Sequence, residues 1–345
     1  MAETGVGRST ARARSTAEMA RVMGLVSRLR ELGILAALAV LVVGVGLSVP
    51  QFLTVGNFTQ ILLSVSILAI AASGQTLVVL TRNVDLSIDA TIGLTAFLVG
   101  DILKSHTANV PEAIVIGLGV GLGLGAFNGL VVTFGRVPSI VATLGTMSVY
   151  RGADFLVAGG TQVSAADLPG SYLHLATAPI LGIPALIVYA VVIVAVLSYL
   201  LRVTRTGRAF YAVGSNPEAA NLVGVPSGRI VFIAFVMSGL LAGLAGVLWG
   251  SRFGTVNAFA ANGLVLEVVA AVVVGGVNIF GGYGTVLGAA LGAILLGTIE
   301  NALTLLRLSQ FWLQAIDGAA ILAAVSADAA ITRRLRRTLA MARER

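Results

Sequence analysis

Long apolar segments without charge dominate the pattern of hydrophobic and polar positions along this chain. Residues 113–135, 182–201, 230–251 and 268–299 contain no charged side chain. A helix that crosses a bilayer needs about 20 mostly apolar residues, and each of these segments reaches that length. The last segment is too long for one span. Its glycine pairs, at 275–276 and 281–282, predict a break within it.

The same pattern, continued along the chain, predicts an all-α polytopic membrane protein with about ten transmembrane helices. The spans that contain Asp89, Asp154 and Glu267 are the least apolar. Prolines at span ends and in loops support the division between spans. We place the spans at 32–49, 60–80, 86–103, 112–134, 139–157, 181–201, 230–250, 264–280, 285–305 and 312–330.

The composition agrees with a membrane protein and excludes several other classes. Of 345 residues 57% are hydrophobic and 11% charged, and the mean hydropathy is +0.98, which does not fit a soluble globular domain. The absence of cysteine excludes disulfides and thiolate chemistry. The sequence also lacks the phosphate-binding GxxxxGK[ST] pattern and the hydrolase motifs HExxH and GxSxG. We therefore expect no catalytic residues, no metal and no cofactor, and any ATP-driven work must come from another subunit.

The distribution of Lys and Arg predicts the orientation. Most of the 22 basic residues lie in the two tails, in two short loops and in the loop 202–229. Because cytoplasmic segments are enriched in Lys and Arg, both termini are predicted to be cytoplasmic. We expect a basic, disordered tail at 1–30, a transmembrane domain at 31–331 and a second basic tail at 332–345. The net charge of +7 could indicate nucleic acid, but a topological role explains it better.

A weak internal similarity links the fourth and ninth spans. The fourth ends with Asn128, Gly129 and Leu130, and the ninth with Asn301, Ala302 and Leu303. On this count the two spans run in opposite directions, as in an inverted repeat that relates spans 2–5 to spans 7–10. Chance similarity between glycine-rich segments is the alternative. If the repeat exists, the substrate path lies between the two halves.

A polar segment, 81–89, separates the second and third spans. Polar groups inside a membrane need internal partners or water, so Asn83, Asp85 and Ser87 are candidates for a translocation path or gate. The alternative is a loop in which Asp85 or Ser87 caps the third span. Asn128 and Asn301 are further path candidates, although interhelical hydrogen bonds are the favoured interpretation for them.

Four acids lie at apparent membrane depth: Asp154, Glu267, Glu300 and Asp317. A proton-coupled transporter would use such acids, but the favoured interpretation is that they lie near span ends or pair with Arg151, Arg307 or polar neighbours. Arg151 has the i,i+3 spacing to pair with Asp154. The small-xxx-small spacings at 239–243 and 288–292 predict close helix packing. The alternating glycines at 117–125 lie inside a span, which argues against a nucleotide-binding loop.

The loop 202–229 contains the signature of a short helix outside the membrane. Asn216 suits an N-cap, Pro217 the first helical position and Glu218 the positive end of the helix dipole. Gly224 suits the C-terminal cap. Two turns are too short to be stable alone, so docking into a partner is favoured over a simple linker.

With these residues in place, the chain resembles the permease subunit of bacterial ABC importers of the ribose, xylose, rhamnose and autoinducer-2 class. The resemblance covers about residues 32–330. Asn83-Val84-Asp85-Leu86-Ser87 replaces the Gly-Ile-Asp-Leu-Ser run that is frequent in the family. The Thr-Arg-Asn-Val-Asp form at 81–85 and the Tyr-Arg-Gly at 150–152 look closer to the autoinducer-2 and rhamnose branches. The resemblance does not determine which sugar is transported. The strongest matches are 81–87, 138–146, 207–214, 270–276 and 280–288.

The resemblance implies a multi-pass protein of the bacterial inner membrane that imports a monosaccharide-type solute by alternating access. Its partners would be two cytoplasmic ATP-binding subunits, an identical or sister permease, and an extracytoplasmic sugar-binding protein. An ion-coupled secondary transporter without an ATPase is the alternative. The segment that would couple to the ATPase matches the family's coupling helix and comprises Arg208, Asn216, Pro217, Glu218, Ala219, Ala220 and Gly224.

Overall fold

The computed structural model describes residues 32–106, 108–309, 311–323 and 326, and this part of the chain is almost entirely helical. Two short 3₁₀ helices, Pro50–Leu53 and Ala165–Asp167, and a two-stranded antiparallel hairpin, β1 (Pro179–Ile180) and β2 (Ile183–Pro184), lie in connections. The α-helices are α1 (Leu32–Ser48), α2 (Val55–Leu80), α3 (Ile88–Lys104), α4 (Val110–Thr133), α5 (Ser139–Ala158), α6 (Gly170–Thr177), α7 (Ala185–Val203), α8 (Arg205–Ser215), α9 (Pro217–Leu222), α10 (Ser227–Phe253), α11 (Leu264–Val274), α12 (Val286–Leu305) and α13 (Phe311–Ala323).

Each of the ten predicted spans overlaps one of these helices as far as the described residues reach, whereas the crossing of a membrane by all ten stays a prediction. Within the described residues, five helices are long and apolar enough to cross a membrane, namely α2, α4, α7, α10 and α12, whereas α1, α11 and α13 are shorter apolar helices. The predicted eighth span ends too late, because α11 stops at Val274 before the glycine pair. The two basic tails lie outside the described residues. So do residues 324–325 and 327–330 of the predicted tenth span.

Two long helices, α2 and α10, form the centre of the bundle. Helix α2 packs against α7, α11 and α12, and α10 packs against α3, α4 and α6. The two central helices touch where a Cβ on Gly74 would lie 3.0 Å from the Cα of Ser238. Most of α2 is buried, which is why its sequence is apolar on all sides.

Glycines allow α4 and α10 to approach each other closely. A Cβ on Gly121 would lie 2.4 Å from the carbonyl oxygen of Gly239, and one on Gly125 would lie 2.8 Å from the Cα of Gly239. Gly119 and Gly123 point the other way and face open space. The predicted close packing is therefore confirmed for this helix pair, and Gly288 and Gly292 of α12 pack in the same way against α11.

The bundle has two distinct ends. One end, here called the α8–α9 end, contains the connection 80–87, helices α8 and α9, and the turn 278–284, whose Gly282 N–H donates to the carbonyl of Leu80 at 3.0 Å. The other, the α6 end, contains α6, the hairpin and an ion pair between Lys104 and Asp167 at 3.5 Å. Helix α10 runs from the first end to the second and is followed by the connection 254–263, which enters the bundle again.

Candidate functional site

A buried hydrogen-bond network fills the break between α2 and α3. Asp85 Oδ1 accepts from both the backbone N–H and the hydroxyl of Ser87, at 3.0 and 2.7 Å. Asn128 of α4 donates to the Ser87 hydroxyl at 2.7 Å and accepts from the hydroxyl of Tyr150, on α5, at 3.2 Å. Asp85, Ser87 and Asn128 are each almost inaccessible to solvent. The structure thus brings three of the five predicted path residues together.

This network corrects the alternative interpretation, in which the side chain of Asp85 or Ser87 caps α3. Ser87 occupies the N-cap position, but it makes no capping hydrogen bond with its side chain. Asp85 binds Ser87 instead of the first turn of the helix. Asn83 lies beside the network, where its amide donates only to Thr81. The break is held by α4 and α5, since a break inside lipid must satisfy its polar groups internally.

An ion-pair cluster lies one turn further along α3. Arg151 of α5 reaches Asp89 of α3 at 3.3 Å and Asp154 of its own helix at 4.0 Å. The predicted pair of Arg151 and Asp154 therefore exists, but the closer partner is Asp89. Both Asp154 oxygens are buried and accept no hydrogen bond within the described part of the chain. Gly93 leaves room for the cluster, because a Cβ there would lie 3.0 Å from Arg151 Nη1.

The cluster also connects the two breaks in the bundle. Arg151 donates to the carbonyl of Ala260 at 3.1 Å, and the N–H of Gly263, at the start of α11, donates to Asp89 at 3.2 Å. The first turns of α3 and α11 therefore meet at Asp89, a residue that suits the positive ends of both helix dipoles. Sequence reasoning missed this contact. Its only signal was that both Asp89 and Arg151 stand in otherwise apolar spans.

Asn301, the fifth predicted path residue, is not part of this network. Its side chain exchanges two hydrogen bonds with the side chain of Asn57, at 3.0 and 2.9 Å, and so joins α12 to the start of α2. The predicted interhelical hydrogen bonding of Asn301 is therefore confirmed. Asn128 also forms hydrogen bonds between helices, as predicted.

The predicted short helix in the loop 202–229 is confirmed as α9. The Asn216 side chain accepts from the N–H of Ala219 at 3.0 Å, Pro217 occupies the first turn, and Gly224 has a φ of +83°. The hydroxyl of Ser227 donates to the carbonyl of Pro217 at 2.9 Å, which fixes the helix against the start of α10. Helix α9 is therefore held in place at both ends.

The outer surface of α9 is open. Glu218 and Ala219 are exposed, whereas Ala220 packs inward. Leu222 and Val223 are 88% and 78% exposed, although they are apolar and stand on a polar end of the molecule. Exposed apolar side chains on such an end are typical of a protein-binding surface.

Helix α8, which the sequence analysis did not predict, connects α9 to the rest of the bundle. It begins with Thr204 as N-cap, and Arg208 donates to the carbonyl of Val203 at 2.9 Å. The Tyr211 hydroxyl donates to the carbonyl of Gly284 at 3.1 Å, and burial raises the pKa of this phenol, which keeps it protonated. Arg208 thus stabilises α8 locally and is exposed on its outer side.

Arg82 joins α9 to the polar break. Its guanidinium donates to the carbonyls of Gly214 and Ser215, at the end of α8 and directly before the N-cap of α9. Two backbones meet closely here, because Gly281 and Gly282, both at positive φ, press against Arg82 and Ser215. The segment 80–87 is therefore hydrogen-bonded directly to the connection between α8 and α9.

The comparisons with known proteins identify the family. Residues 57–325 match the family described as branched-chain amino acid transport system / permease component. The chain belongs to this family. Autoinducer 2 import system permease protein LsrC of Escherichia coli K12 / DH10B is 37% identical over 310 residues, which are 90% of each chain.

Two further relatives agree with this assignment. The probable ABC transporter permease protein y4mJ of Sinorhizobium fredii is 39% identical over 306 residues, 88% of this chain and 91% of its own. The LsrC protein of Salmonella typhi is 37% identical over 90% of this chain and 88% of its own. No solved structure matches the chain significantly. The chain is thus a multi-pass permease subunit of a bacterial ABC importer, and the subunit itself does not hydrolyse ATP.

Proposed function

We propose that the chain imports autoinducer-2 or a closely related small polyhydroxylated solute. The observation that carries this proposal is the similarity over nine-tenths of both chains to permeases named for autoinducer-2 import. The family description names a different solute class, branched-chain amino acids, which is the competing candidate. The resemblance to ribose, xylose and rhamnose permeases supports the sugar-like solute.

We further propose that two ATP-binding subunits dock on the α8–α9 end and that α9 couples them to transport. The capped helix, its open outer surface and the exposed Leu222 and Val223 support this role. A second permease copy or sister, and an extracytoplasmic binding protein at the α6 end, would complete the importer. Movement of α9 would reach the polar break through Arg82 and so alternate the access to the path.

The ten-span topology and the inverted repeat belong to the same proposal. In the bundle α2 packs against α11 and α12, and α10 packs correspondingly against α3 and α4. Each central helix is followed by a break and a shorter helix, α3 or α11, and these two helices begin side by side at Asp89. This correspondence supports a repeat that relates spans 2–5 to spans 7–10. With the α8–α9 end in the cytoplasm, both basic tails would be cytoplasmic too.

The decisive experiment is purification of the tagged chain from its native membrane with its bound subunits, followed by uptake in proteoliposomes. ATP-dependent uptake of autoinducer-2, and not of leucine, is the expected result. Uptake of leucine alone would favour the amino acid. Uptake without ATP that collapses with an uncoupler would favour the ion-coupled secondary transporter.

The coupling role needs its own variant. Glu218→Arg reverses the charge on the first turn of α9, so it should reduce transport while membrane insertion and subunit yield stay normal. Leu222→Glu should in addition weaken retention of the ATP-binding subunit, because it places a charge on the apolar contact surface. Leu181→Glu is the matched control for retention of the ATP-binding subunit, since Leu181 is 99% exposed at the opposite end. Normal retention and transport in both α9 variants would contradict the coupling role.

A further inference from the structure

A cavity of about 360 Å³ lies between α2, α10, α11 and α12, separate from the polar break. Its position is at the α6 side of the bundle, because it is lined by the end of α10 at Phe253 and by the connection that contains Phe259. Ser64, on its α2 wall, lies about 14 Å along the helix axis from Val55. The cavity is therefore a depression that reaches well into the bundle from the α6 end.

The lining combines aromatic rings with a few polar groups. Trp249 and Phe253 pack against each other, with ring centroids 4.6 Å apart, and form one wall. Phe259 belongs to another wall and is supported from behind by Phe155 at 5.1 Å. The polar groups of the lining come from four different elements and are Ser64, Asn262, Glu267 and Glu300.

The two carboxyl groups of the lining come from α11 and α12. Neither Glu267 nor Glu300 forms an ion pair or a side-chain hydrogen bond within the described part of the chain. An acid at membrane depth is costly unless it has a polar partner. A bound solute that donates hydrogen bonds to Glu267 and Glu300 would supply that partner. An acyl chain of a lipid could not satisfy them.

We infer that this cavity is a binding site for a small neutral polyol on its way through the permease. Vicinal hydroxyls would donate to Glu267 and Glu300, Asn262 would exchange hydrogen bonds, and the rings of Trp249 and Phe259 would cover the apolar face. A mostly apolar pocket with a few convergent polar groups is the usual form of a small-molecule site, and this volume lies in the roughly 300–1,000 Å³ range of such pockets. The inference rests on the proposed function and specifies its solute.

The charges of the cavity bear on other solute classes. No cationic side chain belongs to its lining, so the carboxylate of an amino acid, or a phosphate group, would face Glu267 and Glu300. Arg252 stands next to the lining, since its guanidinium donates to the hydroxyl of Ser64 at 3.1 Å and lies 5.3 Å from the centre of the Phe253 ring. A cationic solute would be attracted by Glu267 and Glu300 and repelled by Arg252, so a cation is included in the test below. A neutral polyol is the class of solute whose hydroxyls can form hydrogen bonds with all four polar groups of the lining.

The cysteine-free sequence allows a direct test in the assembled importer. Ser64→Cys places a nearly isosteric thiol in the cavity beside Arg252, which favours the reactive thiolate. Its rate of modification by a membrane-impermeant thiol reagent is measured in proteoliposomes without ATP, with autoinducer-2, ribose, leucine or choline added. Leu181→Cys, at the same end but outside the cavity, is the control.

Autoinducer-2 or ribose should slow the modification of Ser64→Cys and leave that of Leu181→Cys unchanged. Glu267→Gln or Glu300→Gln, added to Ser64→Cys, should raise the concentration needed for protection about tenfold, because a carboxyl oxygen that accepts from the solute is replaced by an amide NH₂ group. Glu112→Gln should leave this concentration unchanged, because Glu112 is an exposed acid of α4 outside the cavity. Asn262→Ala and Phe259→Ala, in the connection 254–263, should also raise the concentration needed for protection.

Protection by leucine or choline but not by the polyols would overturn the inference. So would equal protection in the Glu267→Gln and Glu300→Gln variants, or no protection at all in an importer that takes up the polyol. An importer that transports none of the polyols would instead contradict the proposed function, so the two failures are distinguishable.

Discussion

Arg151 and Asp89 form a buried ion pair at 3.3 Å that joins α5 to the first turn of α3. The same arginine holds the connection 254–263 through Ala260, and the same aspartate receives the N–H of Gly263. One pair therefore fixes both breaks in the bundle relative to α5. A contact that fixes both breaks is well placed to stabilise one of the two access states.

Asp89→Asn should destabilise the protein strongly, because it leaves Arg151 buried with a more distant partner. Removal of one member of a buried pair costs about 3–5 kcal/mol. The change is measured as the thermal unfolding temperature of the purified chain in detergent. Asp101→Asn, on the exposed side of the same helix, should leave it unchanged. Similar unfolding temperatures for the two variants would show that the pair is not structural.

Gly121→Ala should also destabilise the bundle, by about 1–3 kcal/mol, because the new Cβ would lie 2.4 Å from the Gly239 carbonyl and push α4 away from α10. Gly119→Ala is the matched control, two residues away on the open face of the same helix. It should be neutral or stabilising by up to about 1 kcal/mol, since alanine favours a helix over glycine. Thermal unfolding of both variants in the same detergent checks this, and an equal loss of stability in both would contradict it.

Asn301→Ala tests whether Asn301 belongs to the path or only to the packing. It removes two hydrogen bonds with Asn57, and interhelical hydrogen bonds of this kind contribute about 0.6 kcal/mol on average. We expect a small loss of stability and normal uptake. Asn128→Ala should instead reduce uptake, because it disconnects Ser87 from Tyr150 in the polar break. Reduced uptake with Asn301→Ala at normal protein yield would indicate that Asn301 belongs to the translocation path.

The apolar periodicity was sufficient to predict the bundle, because a bilayer demands about the same length of every span and tolerates few charges. Each predicted span overlaps a helix within the described residues, and Asn216, Pro217 and Gly224 predicted α9 because caps are local signals. Long-range pairs are different. Nothing near Asp89 in the sequence indicates that its partner is Arg151, and nothing in the local sequence brings Arg82 to the end of α8. Helix α8 was missed because its apolar side is short and is completed only by the bundle.

Arg82→Ala should uncouple ATP hydrolysis from transport. The variant removes the two hydrogen bonds to Gly214 and Ser215 but retains a Cβ, so the strain of the positive φ of 67° is unchanged. In the assembled importer we expect normal retention of the ATP-binding subunit, continued ATP hydrolysis and a severe loss of uptake, because movement of α9 no longer reaches the segment 80–87. Arg82→Lys should rescue only partly, since an ammonium group lacks the fork that serves two carbonyls.

Arg136→Ala is the control for this variant. Arg136 is exposed at the same end, has a positive φ of 53° and makes no hydrogen bond with its side chain within the described residues, so its removal should leave the ratio of uptake to ATP hydrolysis unchanged. A parallel fall of uptake and hydrolysis in Arg82→Ala would point to impaired docking. An unchanged ratio would show that α9 reaches the polar break by another route, for which the contact of Ser215 with Gly282 is the next candidate.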